Sequence, residues 1–113
     1  MNIDILAIGA HPDDVELSCG GTLIKAVRQG RRVGIVDVTE GELGTRGSRE
    51  IRAMEAENAA KAIGVHYRTN LRIPDGNIEK TPENVLRLVT VIREVRPHVL
   101  LIPHSIDRHP DHE

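Results

Sequence analysis

The amino-acid sequence predicts an α/β domain with a doubly wound parallel sheet in strand order 3-2-1-4. Two observations predict it. Short aliphatic runs alternate with segments of helical periodicity, in the order strand, helix, strand, helix, strand, helix, strand, which argues for parallel strands with helices on both faces. Crossovers between parallel strands are right-handed, and the commonest doubly wound arrangement then reverses direction between strands 1 and 4.

The first strand is "IDILAIGA", residues 3–10, a β-branched apolar run ending around Gly9. A helix follows in "GGTLIKAVRQG", where Leu23, Ile24 and Val27 share one face and Gly30 is a stop. It can start earlier, near Asp13, because aspartates suit a first helical turn. "RVGIVDVT", residues 32–39, is the second strand, and "EGELGTRGS" is a glycine-punctuated loop. Residues 48–64 form the clearest helix, with Ser48 as cap, Glu50 in the first turn and Gly64 past the end. "VHYRTNL" is a third strand and "IPDGN" a turn. In "TPENVLRLVTVIREVRP" Thr81 is the cap, Pro82 takes the first helical position and Pro97 lies beyond the stop. "HVLLIP" is the fourth strand.

Composition excludes several classes of function. A chain of 113 residues is one domain, and its core must be aliphatic, since Tyr67 is its only aromatic side chain of the Phe, Trp and Tyr kind. A stacking platform for single-stranded nucleic acid is therefore not expected. The formal charge of −2, with both signs interspersed, offers no basic stripe, so no nucleic-acid partner is expected. No segment has the length of a membrane span and the N-terminus lacks a basic leader, so no membrane partner is expected. The single cysteine, Cys19, cannot pair within the chain, which suits a reducing, cytoplasmic setting.

Chemistry concentrates in two clusters. "HPDD" leaves strand 1 and "HSIDRHPDH" follows strand 4, so the topology places them on two lips of one crevice at the carboxyl ends of the strands. His11 and Asp14, spaced i, i+3 at a helix entrance, can face one point, and imidazole and carboxylate are good zinc ligands. Of the neighbours Asp13 and Asp14, one can bind an ion while the other stands by its open position. His109 and His112 are also i, i+3, with Asp111 between them. An isolated H-x-x-D is more often a helix cap, and an isolated His-Pro-Asp a turn. Two such clusters at one switch point change the balance, because gathering carboxylates and imidazoles is costly without a cation. A divalent ion with an open position is a hydrolytic design.

The remaining candidates are plainer. Cys19 is a small packed residue, and His66 and His98 open strands at the far end of the sheet as surface or structural residues. His104 serves a turn or substrate equally well. Arg46, Arg52 and Arg108 lie on the edge that carries the clusters, where an arginine can hold a carboxylate or phosphate. For Arg46 and Arg108 a solvated loop charge is as good a reading. "GAHPDD" replaces the glycine-rich dinucleotide turn, so a nicotinamide cofactor is disfavoured.

With "AHPDDVE" and "DRHPDH" in view, the sequence resembles the LmbE-like, or PIG-L-type, zinc-dependent N-deacetylases. Within them, "VDVTEGELGTRGS" and "NLRIPDG" look like the branch that acts on N-acetylglucosaminyl-malate in bacillithiol biosynthesis. The resemblance implies a Rossmann-like fold and hydrolytic removal of acetate from an N-acetyl amino sugar conjugate. It implies Zn2+ held by His11, Asp14 and His112, with Asp13 as general base. It further implies that His109 stabilises the oxyanion or protonates the leaving amine, that Asp111 orients an imidazole, and that Arg52 and Arg108 contact substrate. Members of the family continue past the last motif, so the sheet is expected to be truncated at the C-terminus. An unfinished edge invites pairing, and a homo-oligomer is expected. The rival expectation is a catalytically incompetent, ion-binding, self-associating half-domain.

Overall fold

In the computed structural model, residues 2–12, 14–40, 49–73 and 81–102 are described, the side chains of Leu17 and Arg49 excepted. The elements alternate as expected: β1 (Ile5–Gly9), α1 (Asp14–Arg28), β2 (Val33–Asp37), α2 (Arg49–Ile63), β3 (Tyr67–Asn70), α3 (Pro82–Val95) and β4 (Val99–Leu101). All pairings are parallel, and the order is β3-β2-β1-β4. Both neighbours of β1 are reached by helical crossovers, so the switch point lies between β1 and β4.

Side chains along the strands alternate between two cores, as the pleat requires. On one face Ala7, Val33 and Ile35 pack with Val15, Leu23 and Ala26 of α1 and Ile63 of α2. On the other, Leu6, Ile8 and Val36 pack with Val95 of α3, and Leu88, Val91 and Ile92 close over them. Gly34 is tightly enclosed: an added Cβ there would stand 3.1 Å from Leu6 Cδ1.

Helix ends follow their local chemistry. Thr81 caps α3 by accepting from the Asn84 N–H at 3.1 Å, and Pro82 follows it. Gly30 and Gly64 adopt φ of 84° and 88°, the left-handed backbone that ends α1 and α2. Cys19 is partly buried against the first core and has φ −143°, the kink within α1. His66 is structural: its Nδ1 accepts from the Val33 N–H at 3.2 Å. His98 donates its main-chain N–H to Asp4 O, tying β4 to β1.

The strands are shorter than their apolar runs. Ile3 is fully buried, yet its N–H bonds to Val95 O at the end of α3 and it lies outside the ladder. Apolar character marks burial there, and not strand pairing. Among the described residues no helix is long and apolar enough to cross a membrane.

Candidate active site

The site is built where β1 gives way to α1. Gly9 closes the strand, and a Cβ on it would meet Val15 Cγ2 at 3.0 Å and Asp14 Cβ at 3.2 Å. The absence of a side chain lets the first turn of α1 sit directly on the strand end. The connecting turn is closed from both sides. The Asp14 N–H donates to His11 O at 3.2 Å, and the His11 N–H donates to Asp14 Oδ2 at 3.0 Å.

That turn brings His11 Nδ1 within 3.4 Å of Asp14 Oδ2. Two donors bound to one tetrahedral zinc at about 2.0–2.1 Å stand roughly 3.3 Å apart. Imidazole nitrogen and carboxylate oxygen therefore already have the spacing and chemistry of two ligands of one ion. The acidic residues Asp14 and Glu16 also lie in the first turn of α1, where the helix dipole favours negative charge.

Other expected residues divide clearly. Arg52, on α2, reaches the motif: its Nη2 donates to Pro12 O at 3.3 Å. Its buried Nε finds no acceptor among the described residues. Asp13, Arg46, Ser48, His104, Arg108, His109, Asp111 and His112 lie outside the described residues. Among the described residues no group of three or more His, Cys, Asp or Glu side chains is poised around one ion. The end of β4, which leads toward the second cluster, does lie beside β1.

Sequence reasoning missed a buried ionic knot behind the motif. Asp37, at the end of β2, is 3% exposed and receives Arg68 Nε at 2.8 Å and Nη2 at 2.9 Å. Arg68 also donates to Glu16 of α1, from Nη2 to Oε1 at 3.2 Å and from Nη1 to Oε2 at 3.3 Å. A fifth bond runs from Nη1 to Ala56 O of α2 at 3.1 Å. Burial pushes the Asp37 carboxyl above its ordinary value of 3.8; Arg68 opposes that shift, and the charges of Glu16 and Asp14 add to it. Burial alone would lower Arg68, but its bonds and charge pairing with Asp37 and Glu16 outweigh it and hold the guanidinium more firmly protonated. The available signal was a charged residue within each of two expected strands, Asp37 in the second and Arg68 in the third, since buried charges are kept only when paired.

The carboxyl edge is further stitched beyond the formal strands. The Val38 and Thr39 N–H groups donate to Gly9 O and Ala10 O, and Asn70 Nδ2 donates to Thr39 O at 2.6 Å. Beside Pro12, a cavity of about 270 Å3 opens between Asp37, Arg68 and Asn70 on the sheet and Ala53, Ala56 and Ala60 on α2.

Comparison with known proteins places the chain in a family. The profile of the PIG-L family, GlcNAc-PI de-N-acetylase, matches residues 6–113. The uncharacterized deacetylase YaiS of Escherichia coli is 36% identical over 114 residues, covering 96% of this chain and 61% of that protein. The diacetylchitobiose deacetylase of Thermococcus kodakarensis is 33% identical over 118 residues, covering 96% of this chain and 44% of the enzyme. Among solved structures, the conserved protein TT1542 from Thermus thermophilus has a TM-score of 0.93 at 44% identity, with 97% of this chain and 50% of that one covered. The chain thus spans about half the length of the proteins it matches.

Proposed function

The chain belongs to the PIG-L family of GlcNAc-PI de-N-acetylases, and from that premise we propose that it carries the ion-binding and water-activating residues of an N-deacetylase. The substrate class is a small molecule containing N-acetylglucosamine, and the reaction is hydrolysis of its acetamide to an amine and acetate. The observation that carries the proposal is the 3.4 Å approach of His11 Nδ1 and Asp14 Oδ2 at the switch point of the sheet. The deacetylase of Thermococcus, named for an acetylated amino sugar, supports the substrate class. The resemblance of "VDVTEGELGTRGS" and "NLRIPDG" favours N-acetylglucosaminyl-malate within it. Cys19, unpaired within the chain, fits a cytoplasmic enzyme.

His11 and Asp14, with His112, would hold the ion, which we take to be zinc. When bound, zinc polarises the amide carbonyl and makes water more acidic. Asp13 takes the proton of the attacking water. His109 stabilises the oxyanion that forms from the acetamide carbonyl, or protonates the departing amine, while Asp111 orients an imidazole beside it. Arg52 reaches the motif from α2 and, with Arg108, holds an anionic group of the substrate.

Release of amine from an N-acetylglucosaminyl conjugate tests the proposal. Asp13→Asn should lower the rate by about 10²–10⁴-fold, the usual contribution of a general base, with bound zinc unchanged. An unaltered rate in that variant would remove Asp13 from the mechanism.

A second reading rests on β4. Val99 and Leu100 of β4, the outer strand among the described residues, are 48% and 45% exposed, and Ile102 just past it is 69% exposed. Such an apolar edge favours pairing with a second copy, giving a homo-oligomer that binds an ion without turnover. Sedimentation of the chain against its Leu100→Lys variant should shift from dimer or larger to monomer. A wild-type monomer would exclude it.

A further inference from the structure

We propose that Arg68 is the positioning residue of the His11–Asp14 centre: by gripping Glu16 it fixes the rotation of the first turn of α1 and hence the direction of Asp14. This inference rests on the ion-binding reading of the motif and adds a residue to it.

A guanidinium has five N–H donors, and the five bonds of Arg68 account for all of them. The acceptors come from β2, α1 and α2, while Arg68 itself belongs to β3. One side chain therefore references the first turn of α1 to two strands and a second helix. Bidentate contacts on Asp37 and again on Glu16 constrain angle as well as distance. A hydrophobic cluster in the same space could match the knot in stability, because buried ion pairs lose in desolvation much of what they gain in attraction. It would not set an orientation in the same way.

Orientation matters because of where Glu16 lies. At 3.6 residues per turn, residues two apart point roughly 200° from each other around the helix axis. Glu16 turns inward to Arg68 while Asp14 turns to His11. Rolling the turn would swing Asp14 away from Nδ1. From below, Gly9 leaves room for Asp14 and Val15 to press on the strand end. The turn is held in height by that contact and in rotation by Arg68. Residues that orient metal ligands typically matter about 10–100-fold in affinity when removed.

The test is zinc affinity measured by chelator competition, with folding of each variant checked by circular dichroism and its melting temperature recorded. Glu16→Gln replaces the two charged acceptors that α1 offers Arg68 with one neutral one and leaves Asp37 paired; it should weaken zinc binding about tenfold. Arg68→Met should weaken it by about 10–100-fold, and Arg68→Lys, which keeps the charge without the fork, should recover only part of the loss. A purely structural knot would lower melting temperatures and leave zinc affinity unchanged, and that result in Glu16→Gln would overturn the proposal even if Arg68→Met fails to fold. His11→Ala separates the two claims. Loss of zinc in His11→Ala with wild-type affinity in Glu16→Gln overturns Arg68 alone. Wild-type chain that binds no zinc, or His11→Ala that binds as well as wild type, overturns the centre and the role of Arg68 together.

Discussion

The two outer regions of the sheet are built on opposite principles. Toward β2 and β3 the carboxyl edge is polar and closed: Asp37, Glu16 and Arg68 satisfy one another in a setting where Arg68 is 10% exposed. At β4 the surface is apolar and open, with Ile102 69% exposed. The first region holds its charges only because each is matched, so it is sensitive to any single change. The second holds side chains that gain from burial and have not obtained it among the described residues, so it tolerates change in the isolated chain. The contrast locates directional chemistry at β1–β2–β3 and leaves a surface for further packing at β4.

Removing the cation is the strongest way to break that contrast. Arg68→Met leaves two carboxylates facing each other near the sheet, and a buried pair that loses one partner typically costs about 3–5 kcal/mol. Urea unfolding at concentrations where both proteins are monomeric should show this as a large fall in midpoint, whereas Leu100→Lys on β4 should stay within about 0.5 kcal/mol of wild type. Equal losses at the two positions would erase the distinction.

A smaller effect is expected at Gly9. Its Ala variant places a methyl group 3.0 Å from Val15 Cγ2 and 3.2 Å from Asp14 Cβ, so these two residues must give by a few tenths of an ångström. Overpacking of this kind costs about 1–3 kcal/mol. Zinc affinity should fall along with stability, since Asp14 moves away from His11. A fall in stability alone would show that the turn relaxes without disturbing the ligands.

The finest probe is pH. The Asp37 carboxyl is raised above its ordinary value of 3.8, chiefly by burial. The folded chain then binds that proton more tightly than the unfolded chain does. The contribution of this proton to stability is full below 3.8 and is lost as pH rises through the folded value. The stability of wild type minus that of Asp37→Asn should therefore decrease with rising pH from about 3.8 upward. A difference that grows with pH would mark Asp37 as a depressed carboxylate held by Arg68, with burial the lesser influence.

Strand order and the cap of α3 were legible because they follow from handedness or are local. Thr81 and Pro82 announce α3, and the aliphatic runs announce β1 and β2. Strand limits were overshot at Ile3 and Ala10, because burial extends past the ladder. The approach of His11 to Asp14 was legible from their i, i+3 spacing at a helix entrance. The Arg68 knot was not, since Glu16, Asp37 and Arg68 come from three separate elements that only the tertiary fold brings together. Exposure along α2 was equally hidden. It is the helix best marked by its sequence, yet Ile51 and Met54 remain exposed and Ile63 alone of its large aliphatic side chains is buried.

The most direct test of a shared centre is zinc bound per chain after chelator treatment and zinc re-addition, compared between wild type and His112→Ala. The expected result is about one zinc in the wild type, the content of a single site with ligands from both clusters, and clear loss in the variant. No specific zinc, or the same content in both proteins, would contradict it: the two clusters would then not meet at one ion.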